Sequence, residues 1–110
     1  MRYFDLSDFT KGWFVGNFEP TVIQSKDFEV AVKSYKAGES EEAHFHHVAI
    51  ELTVIVSGRV RMMEREWTAG SIIVIEPDEI TDFHVIEDSV IVVVKIPSAC
   101  GDKFPAVPIE

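Results

Sequence analysis

Cysteine is almost absent from this chain of 110 residues, and basic residues are scarce. Cys100 is the single cysteine, so no disulfide can form within the chain. Ten Lys and Arg stand against nineteen Asp and Glu, a net charge of −9. Such a surface repels phosphate backbones, and no basic stripe offsets it, so no nucleic acid is expected as a partner. The same sign argues against anionic membrane surfaces. The longest apolar run, Val90–Val94, is far too short to span a bilayer. The opening residues, MRYFDLSDFT, carry acids where a signal peptide needs an apolar stretch, which makes a cytoplasmic protein the expectation. Internal repeats, a GxSxG elbow, a phosphate-cradling glycine loop and a CxxC pair are all missing. Cys100 has no histidine near it in sequence, which disfavours a role as nucleophile.

What is present is a globular composition, 46% hydrophobic and 26% charged, of a length that suits one domain over residues 1–110. β-Branched residues fall in short runs between turn signals. Strands are expected at Thr21–Ser25, Phe28–Lys36, Ala43–His47, Ile50–Val56, Arg59–Met63, Ser71–Glu76, Asp82–Ile86 and Ser89–Ile96. The breaks include Ser57-Gly58, Glu64-Arg65 and Glu87-Asp88, where Gly, Ser and Asp supply turn chemistry. This spacing reads as an all-β sandwich or barrel with its core at about residues 28–96. A short helical turn is expected near Ser7–Lys11, with Ser7 as its cap. The N-terminal segment 1–20 holds Tyr3, Phe4, Phe9, Trp13, Phe14 and Phe18, which either cover one end of the barrel or form a dimer interface. A homodimer is the expected assembly. The tail, 97–110, carries three prolines and reads as an extended arm.

Three of the four histidines lie at positions 44, 46 and 47, with Glu51 following. On a strand, His44 and His46 point to the same side and can chelate one ion. Neutral imidazoles with a carboxylate suit a divalent transition metal: Fe, Mn, Ni, Co or Zn. Glu51 has the wrong parity for a straight strand shared with His46, so it joins the site only if the chain bends or bulges between His47 and Ile50. The competing reading is a half-exposed strand that happens to carry two histidines. His47 faces away from His46, and His84 faces away from Thr81 and Phe83, which places both toward the surface. Thr53 and Ile55 share the side of Glu51 and would line a pocket. Thr53 offers a hydroxyl to a ligand or satisfies a backbone carbonyl. Phe83 shares the side of Thr81 as an aromatic wall, and Tyr35 points toward the pocket mouth. Arg59 and Arg61 share one strand face beside Glu64 and Glu66, which reads as a solvated, salt-bridged surface.

The wider spacing is Gly38, five residues, His44, one residue, His46, four residues, Glu51, six residues, Gly58. It resembles the first signature motif of the cupin superfamily at every fixed position. The resemblance covers Gly38–Gly58 closely and residues 28–96 in outline. It implies a double-stranded β-helix, a jelly-roll-like barrel in which His44, His46 and Glu51 ligate a metal. The second cupin motif is only partly matched. Gly70 and Pro77 are present, but Asp78 stands where the family has glycine and Thr81 where it has histidine, a poor metal ligand. The implied set is two histidines and one carboxylate, which leaves positions open for water, oxygen or substrate. The functional expectation is a small metalloprotein that binds or acts on a small organic molecule, with dioxygenase-like or isomerase-like chemistry if it is an enzyme. The alternative is a binding or sensing module, for a sugar-type ligand for example, with no essential metal.

Overall fold

Among the described residues, alternating apolar positions in β-branched segments build nine strands joined in one sheet, and the all-β expectation holds. The computed structural model describes residues 1–106, so 107–110 of the expected tail lie outside the described residues. The strands are β1 (Trp13–Gly16), β2 (Ile23–Gln24), β3 (Glu29–Tyr35), β4 (Ser40–Phe45), β5 (Ile50–Met62), β6 (Arg65–Thr68), β7 (Ile72–Ile75), β8 (Thr81–Ile96) and β9 (Phe104–Pro105). The two longest, β5 and β8, run antiparallel from the Ile50–Ile96 pair to the Arg61–His84 pair. The second half of β8 pairs with β3 on its other edge, and its first residues pair with β4. Beyond β5 lie β7 and β6. Inward residues of the long strands, among them Ile55, Val60, Met62, Phe83, Ile91 and Val93, form the core with Ile73 and Ile75 of β7. Each such side chain contributes roughly 1.5–3 kcal/mol by leaving water.

Two expected breaks are interior to strands. At Ser57-Gly58, β5 continues, but its buried positions change from odd (Glu51, Thr53, Ile55) to even (Val60, Met62). A bulge with register shifts at Ile55, Ser57 and Arg59 produces the change. Gly58 sits at φ 90°, and a Cβ there would lie 2.3 Å from the Asp88 carbonyl oxygen. At Glu87-Asp88 the chain of β8 bends without leaving the sheet: Ser89 Oγ donates to the Glu87 carbonyl at 2.7 Å, and Asp88 accepts the Ala37 N–H at 2.8 Å. Strands β1, β6 and β9 fall outside the expected set. β6 is mostly exposed and polar, so alternation does not reveal it; it forms because Met63 and Glu64, both at positive φ, close a two-residue hairpin. β2 and β4 also differ from their expected bounds of Thr21–Ser25 and Ala43–His47.

The N-terminal turn is a pair of short 3₁₀ segments, Leu6–Asp8 and Thr10–Gly12, and its cap is Asp5, not Ser7. The Asp5 carboxylate accepts the Ser7 N–H at 2.9 Å, because an acceptor one turn earlier reaches the free amides that Ser7 itself contributes. The aromatic cluster divides. Phe9 is buried and Trp13 packs on the core, whereas Tyr3 and Phe4 are exposed. Arg59 pairs with Glu66 at 3.2 Å and Glu87 at 3.6 Å on the outer surface.

Two outcomes follow from these turns. Gly58→Ala places a methyl group against backbone in a left-handed conformation, and should cost about 2–3 kcal/mol. Thermal denaturation would show this as a fall in Tm of roughly 10 °C or more. Asp82 Oδ1 accepts the Met63 N–H at 3.0 Å, and this bond is the main reason its carboxyl lies below the usual range. Its stabilising effect is therefore present above the unfolded carboxylate range and lost as pH falls through the lowered folded value. Asp82→Asn should reduce Tm at about pH 7, and the difference should shrink progressively as pH is taken below the ordinary carboxylate range.

Candidate functional site

His44 lies on β4 and pairs across the sheet with Thr81. His46 lies one residue beyond the end of β4, and Glu51 is the second residue of β5. A bend at His47 and Val48 separates the two strands, so the parity conflict between His46 and Glu51 is removed by a change of strand. All three side chains are buried, with exposures of 7%, 3% and 8% for His44, His46 and Glu51. The two imidazole centroids are 5.3 Å apart at an interplanar angle of 81°.

The hydrogen bonds define which ring nitrogens are free. His44 Nδ1 donates to the Glu42 carbonyl at 2.9 Å, and His46 Nδ1 donates to the Asp102 carbonyl. Carbonyl oxygens only accept, so each Nδ1 must carry a proton and each Nε2 of a neutral ring presents a lone pair. His46 Nε2 is buried and has no hydrogen-bond partner among the described residues, and it lies 3.5 Å from Glu51 Oε1. Burial pushes the Glu51 carboxyl up, but His46 and the nearby charge of Lys95 outweigh it and hold it below its ordinary value. The Glu51 carboxylate thus faces His46 Nε2 in a buried place, where a proton on Nε2 or a bound metal ion would supply the positive charge that holds Glu51 low. Among the described residues, no three His, Cys, Asp or Glu side chains close into a full ligand cluster. The donor chemistry nonetheless fits a divalent transition ion: two imidazole nitrogens oriented by carbonyls, and one ionised carboxylate.

The site opens on a cavity of about 190 Å³, which His44 and Glu51 line together with Tyr35, Thr53, Thr81 and Phe83. Tyr35 packs on Phe83 with centroids 5.0 Å apart, and its hydroxyl donates to Glu41 Oε1 at 3.1 Å. Burial and the Glu41 charge push the Tyr35 phenol far up, so it remains a proton donor. Thr81 is buried, with its hydroxyl donating to the Asp82 carbonyl at 3.0 Å. Asp78, the stand-in for the motif glycine, takes φ 69°, a conformation that glycine holds without strain. Ile55 lies in the core and not on the cavity wall. His47 and His84 are exposed, paired with Asp78 at 2.8 Å and Asp82 at 3.4 Å respectively.

Asp102 escaped the sequence reading. Its carboxylate accepts backbone N–H groups from His47, Val48 and Ala49 at 2.9–3.1 Å, while its carbonyl takes the His46 ring proton. Burial raises its carboxyl, but these amide donors prevail and hold it low. The extended residues 97–106 are held against the sheet: β9 pairs with β4, and Phe104 stacks on Phe45 at 5.4 Å. No local pattern marks Asp102, because its partners lie more than fifty residues away. Trp13, Lys33 and Lys95 also line the cavity and were missed. The signal for the lysines was available, since odd positions on β3 and β8 share the inner face with Tyr35 and Val93.

No protein-family model matches the chain. No curated protein matches it. Solved structures do. An uncharacterized conserved protein with a double-stranded β-helix domain from Klebsiella pneumoniae is 18% identical, with a TM-score of 0.72 over 96% of this chain and 91% of that one. A sugar phosphate isomerase from a cupin superfamily, from Silicibacter pomeroyi, is 16% identical over 64% of this chain and 50% of its own, with a TM-score of 0.59. Oxalate decarboxylase from Bacillus subtilis, a protein with Mn(II) centres, is 15% identical over 74% of this chain and 24% of its own, with a TM-score of 0.63. At these identities the likeness establishes the fold, a double-stranded β-helix of the cupin type.

Asp102→Ala should release the turn between β4 and β5. The loss of several amide contacts to a carboxylate should lower stability by about 2–3 kcal/mol. In spectra of imidazole nitrogens labelled with ¹⁵N, the His46 resonances should lose their single-tautomer signature. An unchanged Tm together with an unchanged His46 spectrum would contradict the role given to this residue.

Proposed function

We propose that this chain is a metalloprotein of the cupin fold that holds a divalent transition metal through His44, His46 and Glu51 and receives a small organic molecule in the adjoining cavity. One observation carries the reading: the buried, unpartnered His46 Nε2 facing the Glu51 carboxylate at 3.5 Å. Mn(II) centres in a protein of the same fold support it. A divalent ion, when bound, supplies Lewis acidity toward a carbonyl, hydroxyl or carboxylate of the ligand. The residues of this chain do the rest. The Glu42 and Asp102 carbonyls orient the two rings. Phe83 and Tyr35 form an aromatic wall, and the Tyr35 hydroxyl holds Glu41. Thr53 and Thr81 add hydroxyls without adding charge. Because Thr81 is not a ligand, three protein groups leave coordination positions for the organic molecule.

A second reading has its own support. The threonine at the fourth corner favours a non-catalytic binding module, with a proton on His46 meeting the need for positive charge beside Glu51.

Elemental analysis of the purified protein, before and after refilling with Mn, Fe, Co, Ni or Zn, separates the two. The metal reading expects about one ion per chain, reduced at least tenfold in a His44→Ala, His46→Ala variant that remains folded by circular dichroism. It also expects the ion to raise Tm, by roughly 3 kcal/mol of stabilisation at a hundredfold excess over Kd. No retained ion after refilling would remove this reading. A ligand-dependent rise in Tm that chelators leave untouched would then establish the binding module.

A further inference from the structure

The chain carries only ten Lys and Arg among 110 residues, yet four lysines line the one cavity beside His44 and Glu51: Lys11, Lys33, Lys95 and Lys103. They come from four different places: the N-terminal turn, β3, β8 and the segment before β9. The carboxylates on the same wall are three: Glu41, Glu51 and Asp82. Glu51 faces His46, Asp82 holds the Met63 amide, and Glu41 takes the Tyr35 hydroxyl. Among the described residues, the only ion pair made by any of the four lysines is Lys33–Glu41, at a loose 4.0 Å.

Lys33 is the informative member. Its side chain is only 15% exposed, on the inner side of β3, where Lys33 pairs with Ile91 of β8, four residues before Lys95. Both ammonium groups rest on Trp13, with Lys33 Nζ 5.1 Å and Lys95 Nζ 4.8 Å from the ring centroid. One indole therefore serves two cations, a partial substitute for solvation or an anion. Burial lowers the Lys33 ammonium from its ordinary value; Glu41 opposes this, and Lys95, Lys103 and Lys11 add repulsion. Lys11 and Lys103 are exposed, but Lys33 is partly desolvated among like charges, which is costly unless a counter-charge joins it.

We propose that these lysines form an anion subsite at the cavity mouth, and that the ligand is a small molecule bearing carboxylate or phosphate oxygens. The inference rests on the reading of this cavity as a ligand site, but not on the metal. The cavity is small, at about 190 Å³. The ligand is therefore compact, with its charged group between Lys33 and Lys95 and the remainder directed toward His44 and Glu51. Trp13 orients the two ammonium groups and closes the wall on the N-terminal side.

The test is calorimetric titration of the full chain after exhaustive chelation, with metal content measured on the same sample. Malonate and inorganic phosphate are the anionic ligands, and malonamide is the neutral control. At least one anion should bind saturably, with malonate against phosphate telling which oxygen chemistry is preferred, and malonamide should not. Lys33→Gln with Lys95→Gln should weaken that binding by about tenfold or more, the loss of charge-assisted contacts. Lys26→Gln, an exposed lysine away from the cavity, should leave it unchanged. If the double variant does not fold, Lys95→Gln alone replaces it, together with a steep fall in wild-type affinity as potassium chloride is raised. No anion binding by the metal-free protein, or binding unaffected by the lysine variants, overturns the proposal. Anion binding that survives in a protein that never retains metal upholds the subsite while the metal reading fails. Binding that appears only with metal and ignores the lysines does the reverse.

Discussion

The site depends on Asp102 and on what it does at both ends of its own residue. The carboxylate gathers three consecutive amides of the turn between β4 and β5, and the carbonyl takes the ring proton of His46. A turn of this kind leaves backbone donors without sheet partners, and an ionised side chain is a strong substitute. The same contact sets the tautomer of His46 and determines where its second nitrogen points. It also ties β9 to β4, so that Phe104 can stack on Phe45. Removing it would disturb the orientation of one imidazole, the entry of β5 and the docking of the tail together. Local geometry and global topology are thus coupled through one residue outside the motif.

A second constraint acts within β5. Glu51 and Thr53 must face inward at the cavity end, while Val60 and Met62 must face inward at the core end. Strict alternation cannot satisfy both sets, because their positions differ in parity. The bulge at Ser57-Gly58 resolves the conflict with one irregularity, and Gly58 accepts both the positive φ and the close backbone of Asp88. That glycine is also the last fixed position of the spacing that begins at Gly38. Its place in the motif follows from mechanics rather than chemistry.

Legibility in the sequence followed the range of the physics involved. Period-two patterning and β-branched runs revealed β3, β5, β7 and β8, because burial on one side acts over neighbouring residues. The Ser57-Gly58 and Glu87-Asp88 pairs misled, since turn-forming residues serve bulges and bends as well as strand ends. β6 and β9 stayed hidden because they are held by pairing and not by apolar alternation. The pair His44 and His46 stood out from spacing alone, and the bend needed to bring Glu51 beside them was deducible from its parity. Asp102 and the convergence of Lys11 and Lys103 were not deducible, because only the closed sheet brings such distant segments together.

The charge distribution links the site to the rest of the molecule. An overall charge of −9 repels anions from afar, yet the cavity wall collects four of the ten basic residues. Range decides between the two effects. At physiological salt, screening limits exposed charges to about 8 Å, so distant surface acids have little influence at the cavity. Inside it, low-dielectric walls strengthen whatever lies near, and the nearest groups are Lys33 and Lys95 on Trp13. Inside, four lysines stand against three carboxylates on the same wall, so on the proposed reading the interior favours anions small enough to enter. Size and charge together define the proposed selection: compact anions can enter, and inside they meet Lys33 and Lys95.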